Sequence, residues 1–386
     1  MVSYSHSNEL ALLHRGAEFF PALVLAFEHA HAEIYLETYI FAIDQTGDRV
    51  KAALCRAAAR GVAVHVLVDW VGTGHATAMS LGKELERSGV RFACFNPWFR
   101  RGVARTHRKM VVIDRRLAFL GGLNINDDMI SDDGRQQSLP APRWDFAVSV
   151  SGPMVEAIHA EVASLWARQQ PQTLRRRLEG LRRLYAERLQ PLRQVEQAAL
   201  VVRDNLRNRN TIQRALLQAL GHAHDTAWLV TPYFAPGRKL RKALIHAAAR
   251  GVQVTLLIGV GQFRMQDAVA QSFYPRLLRA GVKIVEYRGT QLHAKVAVID
   301  DAWATVGSSN FDGLSLFVNH EANIIIRDAT FSGTLREYIA QGVREGALVS
   351  EAQVAEFSWR RRFGNRLAYL LYKLVLQALT AGRYTK

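Results

Sequence analysis

The chain carries one pattern twice. Residues 106 to 126 read THRKMVVIDRRLAFLGGLNIN, and residues 292 to 312 read LHAKVAVIDDAWATVGSSNFD. Laying His107 on His293 brings Lys109 onto Lys295, Asp114 onto Asp300, Gly121 onto Gly307 and Asn124 onto Asn310 without a gap. The preceding stretches repeat in the same order: LETYIF (36–41) and LVTPYF (229–234), RGVAVHVLVD (60–69) and RGVQVTLLIG (250–259), SGVRFACF (88–95) and AGVKIVEY (280–287). Repetition on this scale sets the number of structural units before any fold is chosen. Each copy alternates helix and strand periodicity three times and ends in a hairpin, which predicts an α/β unit. A chain of 386 residues holds two such units.

A strand turns successive side chains to opposite faces, so His107 and Lys109, and likewise His293 and Lys295, share a face at the mouth of each hairpin. If Asp114-Arg115-Arg116-Leu117 and Asp300-Asp301-Ala302-Trp303 close two-residue turns, the register sets Asn124 opposite His107 and Asn310 opposite His293, with Lys109 facing Gly122 and Lys295 facing Ser308. Asp114 and Asp300 then fall at the turns, where caps are expected rather than chemistry. Glu37 and Asp69 end strands near the clusters and are expected to be structural. His29, His31, His222 and His224 are expected at the surface.

Two histidines, two lysines and two asparagines suit a phosphodiester. Lysine and amide donors stabilise the non-bridging oxygens as charge accumulates there. One neutral histidine attacks phosphorus while a protonated partner gives the leaving oxygen its proton. For metal chemistry the sequence offers no HExxH and no His or Cys quartet, and lysines beside a cation repel it. Neither a metal nor another cofactor is expected.

Both motifs match the HxKxxxxD signature of the phospholipase D superfamily, each followed by the downstream Gly and Asn. Within it, AEIYLETYIFAID, RGVAVHVLVDWVGT, VTPYFAPG and the two motif stretches resemble the bacterial cardiolipin synthases, most of all their B type. That resemblance implies two tandem phospholipase D-like α-β-α sandwich domains, related by a pseudo-two-fold and sharing one active site. It also implies a carboxylate downstream of each motif to hold a histidine's other nitrogen, and Asp145 in RWDFAVSV and Glu321 in NHEANIII stand where these belong. Glu321 follows His293 by 28 residues and Asp145 follows His107 by 38, so the first half carries an insertion in DDMISDDGRQQSLPAPR. GGLN in the first half against GSSN in the second makes the Ser308 hydroxyl available from one side only. The implied activity is phosphatidyl transfer from one phosphatidylglycerol to a hydroxyl of another, with His107 as nucleophile and His293 as acid and base. A hydrolase or a sequence-nonspecific nuclease of the same superfamily is the alternative.

Fifty Lys+Arg against 34 Asp+Glu give a formal charge of +16, which favours polyanions, whether nucleic acid or an anionic membrane. The most basic stretch, TLRRRLEGLRRLYAERLQPLRQ, offers a single aromatic as a stacking platform, which weighs against nucleic acid. The apolar run 367–379, behind WRRRFGNR, is too short to span a bilayer, which needs ~20 residues. It reads as an interfacial helix that docks on lipid rather than completing the fold. The expected organisation is an N-terminal unit over 1–170, a basic helical linker over 171–200, a C-terminal unit over 201–350 and a membrane-associating segment over 351–386. MVSYSHSNEL lacks a basic, apolar secretory pattern, and Cys55 and Cys94 show no sign of pairing. The simplest location is peripheral, on the cytoplasmic face of the bacterial inner membrane.

Overall fold

The computed structural model describes residue 5 and residues 7–99, 103–132, 136–170, 197–204 and 208–380. The expected basic linker falls almost wholly outside these.

Two mixed sheets of the same topology carry the two repeats. In the first, the order is Glu9–His14, Phe146–Ser151, Leu117–Gly121, Met110–Ile113, Glu33–Thr38, Ala63–Asp69 and Arg91–Phe95. The second runs Ala198–Arg203, Glu321–Ile326, Trp303–Gly307, Val296–Ile299, Thr226–Thr231, Gln253–Gly259 and Lys283–Tyr287, with Ala347–Val349 added at its edge. Three parallel strands linked by helices form one side of each sheet, and the motif hairpin continues it antiparallel. The opening strands Glu9–His14 and Ala198–Arg203 escaped the sequence reading.

Apolar faces on both sides of each sheet explain the layering. Val50, Leu54, Val64, Val66 and Leu85 fill the outer layer of the first half, and Leu240, Leu244, Val254, Leu256 and Leu277 that of the second. The inner faces share a third core. In it Met110, Val112, Ala118 and Leu120 belong to one hydrophobic cluster with Val296, Val298, Ala304 and Val306, together with side chains of the helices Met154–Gln169 and Ala329–Glu345. Each aliphatic side chain buried there contributes roughly 1.5–3 kcal/mol, so the two halves are held as one body with their hairpins side by side.

The hairpins differ from expectation by one residue. Ile113 pairs with Leu117 and Ile299 with Trp303, leaving three-residue connections. Lys109 therefore sits opposite Gly121, whose N–H donates to the Lys109 carbonyl at 3.3 Å. The cause is in the aspartates. The Asp114 carboxylate accepts from the N–H groups of His31, Ala32 and Glu33 at 2.8, 2.7 and 2.9 Å, and Asp300 from those of His224, Asp225 and Thr226 at 3.0, 2.9 and 3.0 Å. Reaching three amides takes both aspartates into the left-handed region, at φ 49° and 48°. Asp114 and Asp300 thus cap the neighbouring strand at the far end of the hairpin from the histidines.

The helix Trp359–Thr380 has two faces. Tyr369 packs edge-on to Phe273 at 5.1 Å, Leu376 is buried with Val318, and the Tyr372 hydroxyl accepts from the Gly313 N–H at 2.8 Å. Part of this segment therefore does complete the second half, contrary to expectation, and it braces the chain just after Asn310. Phe363, Leu367, Leu370, Leu371, Leu374 and Val375 face outward on the opposite side.

Candidate active site

Backbone crossing between the halves builds the site. The His107 N–H donates to the His320 carbonyl at 2.9 Å and the His320 N–H to the Arg105 carbonyl at 2.8 Å. On the other side of the pseudo-two-fold, Trp144 and His293 exchange the equivalent contacts, Trp144 N–H to Gln291 O and His293 N–H to Trp144 O, both at 2.9 Å. Because His320 precedes Glu321 and Trp144 precedes Asp145, each histidine is laid beside the carboxylate of the opposite half.

The side chains follow. His107 Nδ1 lies 3.1 Å from Glu321 Oε2 and 3.1 Å from the Ser308 carbonyl oxygen; His293 Nδ1 lies 2.5 Å from Asp145 Oδ2. Every one of these neighbours is an acceptor, so Nδ1 carries the proton in both rings and Nε2 is left for chemistry. Sequence spacing had placed each carboxylate with the motif of its own half; the pairing is crossed, and neither half holds a complete histidine–carboxylate pair. The asymmetry between GGLN and GSSN has a matching cause. A Cβ at Gly122 would lie 2.2 Å from Asp145 Oδ1, so glycine admits that carboxylate. In the second half Ser308 fills the equivalent space and donates its hydroxyl to Glu321.

Both lysines are buried beside the histidines. Lys109 Nζ donates to the His107 carbonyl at 2.7 Å and lies 5.2 Å from the Tyr39 ring centroid; Lys295 Nζ donates to the His293 carbonyl and lies 4.0 Å from Asp145 Oδ2. Burial, and then repulsion from Lys295, lowers Lys109 to about 7, while burial lowers Lys295 to about 8. Burial lowers His107, opposed by Glu321; burial and Lys295 lower His293 to about 4, opposed by Asp145 and Asp132. Asp145 and Glu321 are held below the usual carboxylate range despite their own burial, by Lys295 and His293 in the first case and by His107 in the second. Near pH 7 the site therefore has both rings neutral, Lys295 mostly charged and Lys109 poised about half charged.

Asn124 is buried with its side-chain oxygen accepting from the Ile40 N–H at 3.2 Å. Asn310 Oδ1 and Glu321 Oε1 are buried and have no hydrogen-bond partner among the described residues. Glu37 and Asp69 are structural, as expected. Asp69 Oδ2 accepts from the Thr106 N–H at 2.8 Å, and Glu37 takes the Thr106 hydroxyl together with the Arg108 guanidinium at 3.0 and 2.8 Å. Arg108, pointing away from His107, is also 3.2 Å from the partly exposed Glu161; removing one partner of the buried Arg108–Glu37 pair costs about 3–5 kcal/mol. Arg108 went unnoticed in the sequence because an arginine between His and Lys looks like surface charge. Also missed was Asp132, whose Oδ2 lies 3.5 Å from His293 Nε2. Among the described residues no cluster of three or more His, Cys, Asp or Glu side chains is placed to hold a metal ion.

The doubled motif, converging across one pseudo-two-fold, has a counterpart in known sequences. The family described as Cardiolipin synthase, PLD-like domain matches residues 23–134 and 216–342, one stretch in each half. The chain belongs to this family. Cardiolipin synthase B of Salmonella typhi is 38% identical over 374 residues, covering 92% of this chain and 86% of the relative. Cardiolipin synthase B of Escherichia coli K12 is 39% identical over 343 residues, covering 87% and 80%. The crystal structure of phosphatidylserine synthase from Haemophilus influenzae Rd KW20 shares the fold with a TM-score of 0.68 at 15% identity, covering 97% of this chain and 95% of that one. Within the cardiolipin synthase family, then, this chain is an α/β enzyme of two facing units with one composite site.

Proposed function

We propose that the chain is a phosphatidyl transferase that makes cardiolipin from two molecules of phosphatidylglycerol and releases glycerol. The observation that carries this reading is the pair of oppositely crossed histidine–carboxylate contacts between two buried lysines, in a chain that matches cardiolipin synthase B relatives over most of its length. The phosphodiester lies between Lys109 and Lys295. The neutral His107 Nε2 attacks phosphorus, the bond to the glycerol oxygen breaks, and His293 gives that oxygen its proton. Burial and then Lys295 keep His293 neutral; the arriving phosphate anion offsets the lysine part, which favours the imidazolium needed for this step. A hydroxyl of the second phosphatidylglycerol then gives its proton to His293 and attacks phosphorus, and the bond to His107 breaks. Since one phosphodiester is exchanged for another, no nucleotide is consumed.

Peripheral attachment to an anionic membrane fits the same reading. Among the described residues no helix is long and apolar enough to cross a membrane. Ile43, Trp98 and Met265 are exposed in segments that follow the carboxyl ends of the parallel strands, the end from which Asp69 reaches the residue before His107. The outward leucines of the helix Trp359–Thr380 and the arginines at its start add apolar and basic side chains suited to anionic headgroups. The net positive charge favours the more anionic cytoplasmic leaflet.

The test gives purified protein phosphatidylglycerol vesicles in EDTA and, separately, plasmid and single-stranded DNA. Cardiolipin with an equivalent of free glycerol is the expected result. Phosphatidic acid alone makes the chain a hydrolase, and DNA cleavage without lipid turnover makes it a nuclease.

A further inference from the structure

His293 is flanked by acid on both nitrogens, and the second acid is unexplained by the transfer mechanism. Asp132 belongs to the insertion that lengthens the first half, and its side chain is 7% exposed. Its position is built. The Gln291 amide donates to Asp132 Oδ1, the Asp132 N–H donates to Gln291 Oε1 at 3.3 Å, and Arg143 Nε lies 3.9 Å from Oδ2. Arg143 is itself fixed, donating to Gln291 Oε1 at 3.1 Å and Asn126 Oδ1 at 3.0 Å. Oδ2 thus stands 3.5 Å from His293 Nε2, too far for a good hydrogen bond between them and close enough for both to accept from one small molecule. Only ten residues separate Asn310 from Glu321, so the second half has no room for an equivalent loop, and among the described residues no acid pairs with His107 Nε2.

We propose that Asp132 is a specificity-determining residue that accepts a hydrogen bond from the hydroxyl vicinal to the reacting oxygen, so that the site recognises a 1,2-diol. This rests on the phosphatidyl-transfer reading. In glycerol as leaving group, the oxygen that takes the proton from His293 has a hydroxyl on the adjacent carbon. In the headgroup of the acceptor lipid, the primary hydroxyl that gives its proton to His293 has one as well. Nε2 donates to the departing oxygen in the first step and accepts from the attacking hydroxyl in the second, and Oδ2 beside it accepts from the neighbouring hydroxyl in both. A carboxylate at this position also disfavours a second phosphate on the His293 side, which keeps the phosphodiester on the side of His107.

The test is a competition for the common phosphatidyl-enzyme. With phosphatidylglycerol as donor, 1,2-propanediol, 1,3-propanediol and 1-propanol are offered together and the phosphatidyl products are quantified. The wild type is expected to favour 1,2-propanediol over 1-propanol. Asp132→Ala and Asp132→Asn should reduce that ratio about 10- to 100-fold, the range of one hydrogen bond to a charged group, and total turnover should fall as well, because the same carboxylate holds the leaving glycerol in the donor step. Asp132→Glu should restore part of the ratio. An unchanged ratio overturns the proposal: with a fall in all three products Asp132 is a loop brace, with a rise it is a plug, and with unchanged rates it lies outside the site. A wild type that yields neither cardiolipin nor any phosphatidyl alcohol overturns the transfer reading instead.

Discussion

His107 keeps Nδ1 against Glu321 and the Ser308 carbonyl and presents its ring to the edge of Tyr39 at 4.8 Å, and among the described residues no carboxylate pairs with its other nitrogen. His293 keeps Nδ1 against Asp145 and has Asp132 facing Nε2. The halves of the site share a motif and differ in what surrounds it. A nitrogen that must approach an anionic phosphodiester is better placed away from a carboxylate, whereas one that exchanges protons with a neutral alcohol tolerates it. This difference favours the proposed roles, His107 as nucleophile and His293 as acid and base, which the symmetric motif leaves equivalent.

The largest effects should come from breaking the crossed pairs. Glu321→Gln should slow formation of the phosphatidyl-enzyme, and Asp145→Asn should slow cardiolipin synthesis, each by about 10²–10⁴-fold, the range of a general acid–base contribution. A phosphatidyl ester whose leaving group needs no proton distinguishes them. Asp145→Asn should regain most of its rate of adduct formation with that ester, and Glu321→Gln should not. Equal behaviour of the two variants would mean that the halves are interchangeable.

A smaller effect is expected at the two faces of the C-terminal helix. Leu370→Ser, Leu371→Ser and Leu374→Ser combined remove outward apolar side chains worth roughly 1.5–3 kcal/mol each when buried in lipid. Flotation with anionic vesicles should fall at least about tenfold, while melting stays cooperative and unshifted. Leu376→Ser, on the buried face, should instead lower the melting temperature. Should the triple variant bind vesicles as well as the wild type, attachment lies elsewhere.

The smallest effect is in the pH profile. Lysines bind phosphate only when charged, so kcat/KM should fall as pH rises through about 7 to 8, where Lys109 and Lys295 lose their protons in the free enzyme. A bound phosphate anion stabilises both ammonium groups, which moves the same limb of kcat to higher pH. A kcat/KM profile flat to about pH 10, the range of an unburied lysine, would contradict the burial argument.

The sequence displayed the unit count, the α/β class and the candidate His, Lys and Asn residues because they depend on local order and on period-two alternation. The hairpin register depended instead on Asp114 and Asp300 adopting positive φ to reach the amides of a strand 74 to 83 residues away, which the turn residues do not announce. The crossed carboxylates were visible as residues and not as partners: Trp144-Asp145 and His320-Glu321 reach the opposite half through backbone contacts between distant segments. Asp132 was hidden because an acid in a polar loop is ordinarily solvated. The opening strands ELALLH and AALVVR were hidden because they lie at the sheet ends, outside the stretches that repeat in sequence.

The most direct measurement is the identity of the covalent adduct. Purified protein turning over phosphatidylglycerol is quenched in a way that preserves phosphohistidine, digested and mapped by mass spectrometry, alongside His107→Ala and His293→Ala given the ester whose leaving group needs no proton. The account predicts a phosphatidyl group on His107, retained in His293→Ala and lost in His107→Ala. An adduct on His293, or steady release of glycerol with no adduct on either histidine, would contradict it.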